Sequence, residues 1–200
     1  IYNQSVKNKA PDWVCSYLDA GKPADLIEKG RHKTFSNSLP RIIRPDLIWT
    51  EEGFAITELD SVPGGIGLTA WLNQTYSSLG YDVLGTSTGM LDGFASILPL
   101  GADILISQES SEYRPEMEWL AEQCDSIAVT AAEEADSDQL SNSPAYRFFE
   151  WFDWENIPCA RKLASSPLLT SPCKPHLEEK LWLALLWSPS LREVWDAEMR

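Results

Sequence analysis

Cysteine, histidine and basic residues are all scarce in this 200-residue chain, and each scarcity closes off a class of function. Four cysteines (Cys15, Cys124, Cys159, Cys173) lie far apart with no CxxC pair, beside only His32 and His176. Zinc-ligand spacing is therefore absent. Sparse, unpatterned cysteine without a secretory leader fits a reducing compartment, and a cytoplasmic location is expected. Sixteen Lys and Arg against thirty Asp and Glu leave a formal charge of −14, which repels phosphate backbones and anionic lipid surfaces. Nucleic acid and membranes are not expected as partners. The apolar run over 181–187 has seven residues, where a bilayer span needs about 20. Repeats and long low-complexity tracts are also missing.

What is present is a chain with 44% hydrophobic residues, enough to bury a core. The acidity is uneven: residues 109–160 carry a net −11, which reads as a solvated helix face followed by an exposed loop. Three zones are expected. Residues 1–75 contain a short helix and two alternating runs, 47–50 and 54–60, joined by Glu51-Glu52-Gly53 as a hairpin. Residues 76–144 read as strand (Asp82-Val83-Leu84-Gly85), loop, helix, strand (102–107), helix (115–123) and strand (126–130), with a flexible loop over 133–144. That alternation suggests a small parallel α/β layer. Residues 145–200 hold an aromatic segment, then helices over 176–187 and 189–199, with Ser188 placed to cap the second. The fold class expected is mixed α/β (α+β).

The chemistry concentrates in RPDLIWTEEGFAITELDSVPGGIGLT, residues 44–69. Alternation puts Phe54, Ile56, Glu58 and Asp60 on one strand face. If Thr50 and Phe54 flank the turn, Asp46 opposes Glu58 and Arg44 opposes Asp60. Three carboxylates so close repel unless a cation or shared protons neutralise them, and magnesium is the natural candidate. Arg44 would steady phosphate oxygens or developing charge. The Pro63-Gly64-Gly65-Ile66-Gly67 turn would let backbone N–H groups approach an anion at the start of a helix beginning near Leu68. The same row of acids also reads as a solvent-facing salt-bridge row.

The set Arg44, Asp46, Glu58, Asp60 (R-x-D, eleven residues, E-x-D) resembles the metal-binding half of circularly permuted ATP-grasp ligases of the glutathionylspermidine synthase type, where E-x-N stands in place of E-x-D. SSEYRPEMEWLAEQ, YRFFEWFDWENIP and KPHLEEKLWLALLWSPSLREVW look similar to the accompanying pre-ATP-grasp region. The resemblance implies a hairpin metal-binding half beside a Rossmann-like layer. It also implies Mg²⁺ (or Mn²⁺) ligands at Asp46, Glu58 and Asp60, and a phosphate-stabilising Arg44 in catalysis. Substrate and phosphate contacts fall around Ser61, Gly64, Gly65 and Gly67. The implied activity is ATP-dependent carboxylate–amine ligation through an acyl phosphate, with ATP and a small acid and amine as partners. The family's nucleotide-binding lysines would then follow in a C-terminal half beyond Arg200, and 200 residues alone would be inactive. Lys162, Lys174 and Lys180 read as solvated charges instead.

A second expectation is a non-catalytic acidic interaction module, docking on a partner or a second copy through the aromatics Tyr146, Phe148, Phe149, Trp151, Phe152 and Trp154. Acidic neighbours make core packing the commoner role for such a segment.

Overall fold

The computed structural model describes residues 1–98, 101–124, 127–140 and 143–195. It is a mixed α/β protein with two sheets. An antiparallel hairpin pairs β1 (Arg44–Thr50) with β2 (Gly53–Asp60), and a four-stranded sheet runs in the order β4-β3-β5-β6. Its strands are β3 (Asp103–Ile106), β4 (Ala128–Ala131), β5 (Ala145–Phe148) and β6 (Leu169–Thr170), all parallel. In chain order the helices are α1 (Tyr2–Val6), α2 (Trp13–Leu18), α3 (Ala24–Arg31), α4 (Ile66–Ser78), α5 (Gly89–Ile97), α6 (Arg114–Gln123), α7 (Ser137–Leu140), α8 (Ala160–Leu163) and α9 (Leu181–Trp187).

A parallel strand covered on both faces should be apolar throughout, and Ile104, Leu105 and Ile106 of β3 are all fully buried. Their alternation sorts the core into two layers. Ile104 and Ile106, with Tyr146 and Phe148 of β5, pack against Ile66, Phe94, Met117 and Leu120 from α4, α5 and α6. Leu105 and Ala145 face Leu26, Phe35, Trp151, Trp154 and Leu163 on the other side. A third cluster joins Tyr2, Val14 and Leu18 to Leu185 and Leu191. Each cluster thus draws on more than one of the three zones read from the sequence.

Several expected elements differ. Asp82-Val83-Leu84-Gly85 forms no strand but runs irregularly into a turn at Leu84: Leu84 is 99% exposed, and Gly85 and Thr86 both take positive φ (81° and 67°). An isolated exposed segment has no ladder to join. The third strand comes instead from β5, within the aromatic segment, and β6 adds a fourth at the edge. The expected loop over 133–144 contains α7, whose Leu140 is buried. Two extra helices, α2 and α3, precede the hairpin, and the N-terminal stretch is more helical than expected. Of the C-terminal helices, α9 forms, but residues 189–191 make only a 3₁₀ turn, and Ser188 makes no side-chain cap. Ser126, residues 141–142 and residues 196–199 of the expected elements lie outside the described residues.

Five of the six clustered aromatics are interior; only Phe152, 70% exposed, reaches the surface. Two of them, Phe149 and Trp151, lie against Arg147, itself 1% exposed on β5. Its guanidinium stands over the Trp151 ring at 4.6 Å and pairs with Glu178 at 2.6 Å, while Glu178 also accepts from Trp151 N at 2.8 Å. A buried charge of this kind is tolerated because its donors are met. All four cysteines are buried, with no disulfide among the described residues, and burial pushes the Cys159 and Cys173 thiols up to about 11 and about 12. No described helix is long and apolar enough to cross a membrane.

Candidate functional site

The hairpin closes with a tighter turn than its sequence suggests. Thr50 pairs with Gly53, so only Glu51 and Glu52 form the loop, and Gly53 takes φ +123°, open in practice to glycine. That shifts the distal register by one residue. A β-bulge between Asp46 and Leu47, opposite the extra residue Thr57, shifts it back. At the base the register is therefore the expected one: Arg44 opposes Asp60 and Asp46 opposes Glu58.

The bulge corrects one feature of the expected face. Since Leu47 pairs with Ile56 and Trp49 with Phe54, those four side chains lie on the side of β1 opposite Asp46. Phe54 and Ile56 thus leave the face of Glu58 and Asp60, and the Trp49 and Phe54 rings meet edge to face at 4.7 Å. One face of the hairpin is ionic at its base; the other is apolar.

On the ionic face Arg44 is the hub. Its Nε donates to Asp46 Oδ1 at 2.8 Å, its Nη1 to the Gly64 carbonyl at 3.0 Å, and its Nη2 lies 3.5 Å from Asp60 Oδ2. Partial burial opposes the Arg44 charge, but the Asp46 hydrogen bond and the charges of Asp60, Asp46 and Glu58 outweigh it and raise its pKa. Asp60 Oδ1 accepts from Val62 N at 2.8 Å, tying the carboxylate to the turn that follows. Glu58 turns away from Arg44 to Lys180, with Nζ 2.9 Å from Oε2.

The glycine turn is built for close packing. A Cβ on Gly64 would stand 2.5 Å from the Tyr113 ring, and one on Gly67 would stand 2.6 Å from the Glu116 carbonyl oxygen. Gly65 takes φ +82° at the start of α4. The amides expected to receive an anion already hold one from within the chain: Gly65 N donates to Glu116 Oε1 at 2.7 Å and Leu68 N to Oε2 at 3.2 Å. This is the usual charge preference of a helix N-terminus, met by a side chain of α6. Ser61 points its backbone inward, its carbonyl accepting from Ser171 Oγ at 2.6 Å.

The sequence-derived residues Arg44, Asp46, Glu58, Asp60, Ser61, Gly64, Gly65 and Gly67 thus gather at the hairpin base and the turn after it. Carboxylate oxygens suit a hard divalent cation. Among the described residues, however, no three or more His, Cys, Asp or Glu side chains are grouped so as to hold a metal ion. The reason is visible in the pairing: Asp46 and Asp60 turn to Arg44, and Glu58 turns to Lys180. A cation would have to exchange places with these bases.

Two participants escape sequence reasoning. Glu116 and Lys180 lie far along the chain from the hairpin, and no local pattern ties either to it; Lys180, read as a solvated charge, is indeed 72% exposed but ion-paired. Lys174 is not solvated at all: it is 5% exposed, and burial lowers its pKa. Lys162 pairs with Asp138.

In comparisons with known proteins, the chain matches no family model, no curated protein and no solved structure.

Proposed function

We propose that the base of the hairpin is the metal- and phosphate-binding half of an ATP-dependent carboxylate–amine ligase related to the permuted ATP-grasp enzymes. The observation that supports this most directly is the register, with Arg44 opposite Asp60 and Asp46 opposite Glu58 despite a bulge one residue away. Asp46, Glu58 and Asp60 would hold Mg²⁺ or Mn²⁺, which supplies charge neutralisation for the phosphates of ATP. Arg44, positioned by the Gly64 carbonyl, would be released from Asp46 and Asp60 to contact transferring phosphoryl oxygens. In the reaction a substrate carboxylate oxygen attacks the γ-phosphorus and ADP departs with the electrons of the broken P–O bond. An amine then attacks the carbonyl carbon and gives up a proton to water, and phosphate leaves with the electrons of the broken C–O bond.

In this reading the parallel layer is the Rossmann-like companion of the hairpin. Because Gly65 N and Leu68 N are engaged by Glu116, the turn contributes shape and the Arg44 anchor rather than free anion donors. Titration calorimetry with Mn²⁺ and Mg²⁺, with and without ATP, is the test. Saturable metal binding that is lost in Asp46→Asn and Glu58→Gln supports the reading; heats identical for the wild type and both variants reject it.

A second reading is favoured by one observation. Leu47, Ile48, Trp49, Phe54 and Ile56 are each 49–75% exposed on the hairpin, an apolar concentration of the kind that marks interaction surfaces. In that reading the hairpin, rather than the interior aromatic segment, is the docking element of a non-catalytic module. Light scattering on a sizing column separates the two, since docking between copies would be weakened by Trp49→Ser while metal binding would be untouched.

A further inference from the structure

Behind the ionic patch lies a cavity of about 330 Å³, within the ~300–1,000 Å³ range of small-molecule sites. Its walls include Ile43, Leu59, Trp182, Leu186 and Trp195, and Lys180 stands among them. Leu59 is the residue between Glu58 and Asp60, so it faces the side of β2 opposite the carboxylates. Lys180 connects the two compartments, lining the cavity while its Nζ contacts Glu58 Oε2 at 2.9 Å. The acid in the lining, Glu179, is already paired with Lys22. The ammonium of Lys180, 72% exposed, therefore has room for a second acceptor, and it is the charge positioned to receive the head of an amphipathic ligand.

We propose that this cavity binds the apolar tail of a free monocarboxylic acid, with its carboxylate on Lys180. At ~30 Å³ per water-sized group the volume suits a tail of roughly eight to ten carbons. An acid is favoured over an amine by the charge at the rim: Glu58 and Glu179 each have a basic partner, whereas Lys180 keeps donors to spare. If the ligase reading holds, on which only this next step rests, the acid is the acyl substrate. Its head would then sit on Lys180 beside Glu58, one of the proposed metal ligands.

The test is calorimetric titration with hexanoate, octanoate and decanoate, without nucleotide or metal, and with decanol and decylamine as controls. Burial of each added methylene should tighten binding about fourfold. Lys180→Met keeps the apolar stem and should weaken decanoate about tenfold while leaving decanol unchanged. Ile43→Asp, at a position already 54% exposed and so tolerant of substitution, should repel decanoate from the mouth. The proposal is overturned if affinity ignores chain length, if decylamine binds as tightly as decanoate, or if Lys180→Met leaves decanoate unchanged. Acid binding without any metal response would retain the cavity and reject the ligase; metal binding without acid binding would do the reverse.

Discussion

Glu116 makes a sharp demand on the structure, because one carboxylate is asked to do what the glycine turn was expected to offer to a ligand. It spans two amides of the first turn of α4, at 2.7 Å to Gly65 N and 3.2 Å to Leu68 N. A hydrogen bond to a charged acceptor contributes about 1.5–3 kcal/mol when well made. The shorter, partly buried bond falls in that range; the longer, exposed one falls below it, since water can replace it. The helix dipole adds ~0.3–1 kcal/mol. With water restoring part of the loss, Glu116→Ala should cost about 1.5–3 kcal/mol, or roughly 3–12 °C at the ~2–4 °C per kcal/mol of a chain this size. Glu116→Gln keeps an acceptor without the charge and should lose about half as much. The assay is thermal unfolding by circular dichroism in chloride and in inorganic phosphate at equal ionic strength. Phosphate should recover more stability in Glu116→Ala than in the wild type, because only the variant presents free amides to it. A melting temperature within about 1 °C of wild type, or equal phosphate effects on both proteins, would refute the reasoning.

Gly67→Ala should be more damaging than Gly64→Ala, by about 1–3 kcal/mol or more in urea titrations, since its Cβ meets backbone at 2.6 Å whereas the Tyr113 ring facing Gly64 can turn aside; equal midpoints would contradict this. Burial beside Glu178 pushes the Glu150 carboxyl up to about 9 in the folded chain, above the 4.5 of an ordinary glutamate. The folded state thus binds more protons than the unfolded state between those values, and stability is present below pH 4.5 and lost as pH rises toward 9. Glu150→Gln should match wild type near pH 4.5 and exceed it near pH 8.5 in urea unfolding, and parallel pH dependences for the two proteins would count against it.

The parts legible in the sequence are those governed by local pattern. Strand periodicity and a glycine after two acids suffice for the hairpin, and the buried run around Ile104 for the central strand. The base register was reached through two departures that cancel, a shorter turn and a bulge at Thr57, neither of which strand alternation announces. Other features depend on distant partners. Residues 145–148 become a strand because β3 offers an open edge, although their aromatics alone suggested only core. Residues 82–85 have strand-like composition and no edge to join. Glu116 and Lys180 reach the site across 48 and 122 residues of chain, from Leu68 and Glu58 respectively, distances over which side-chain spacing carries no signal.

The turn after β2 explains why the ionic patch can change partners without the fold changing. Asp60 Oδ1 holds the start of the turn through Val62 N, and three further attachments fix the rest: Ser171 Oγ to the Ser61 carbonyl, Glu116 to Gly65 N, and the close seat of Gly67 on α6. None of these three involves the Asp46, Glu58 or Asp60 carboxylate. Arg44 adds another, to the Gly64 carbonyl, through a nitrogen different from the two that meet Asp46 and Asp60. Its grip on the turn can therefore survive the loss of either acid. The surface ion pairs themselves are each worth ~0–1 kcal/mol, so exchanging Arg44 or Lys180 for a cation at these carboxylates opposes little stability. A patch on a scaffold held largely by other contacts, and closed by partly exposed ion pairs at Asp46 and Glu58, has the properties a ligand-exchanging site requires. That division also makes Asp46→Asn and Glu58→Gln fair probes of binding, because the scaffold does not depend on the groups they remove.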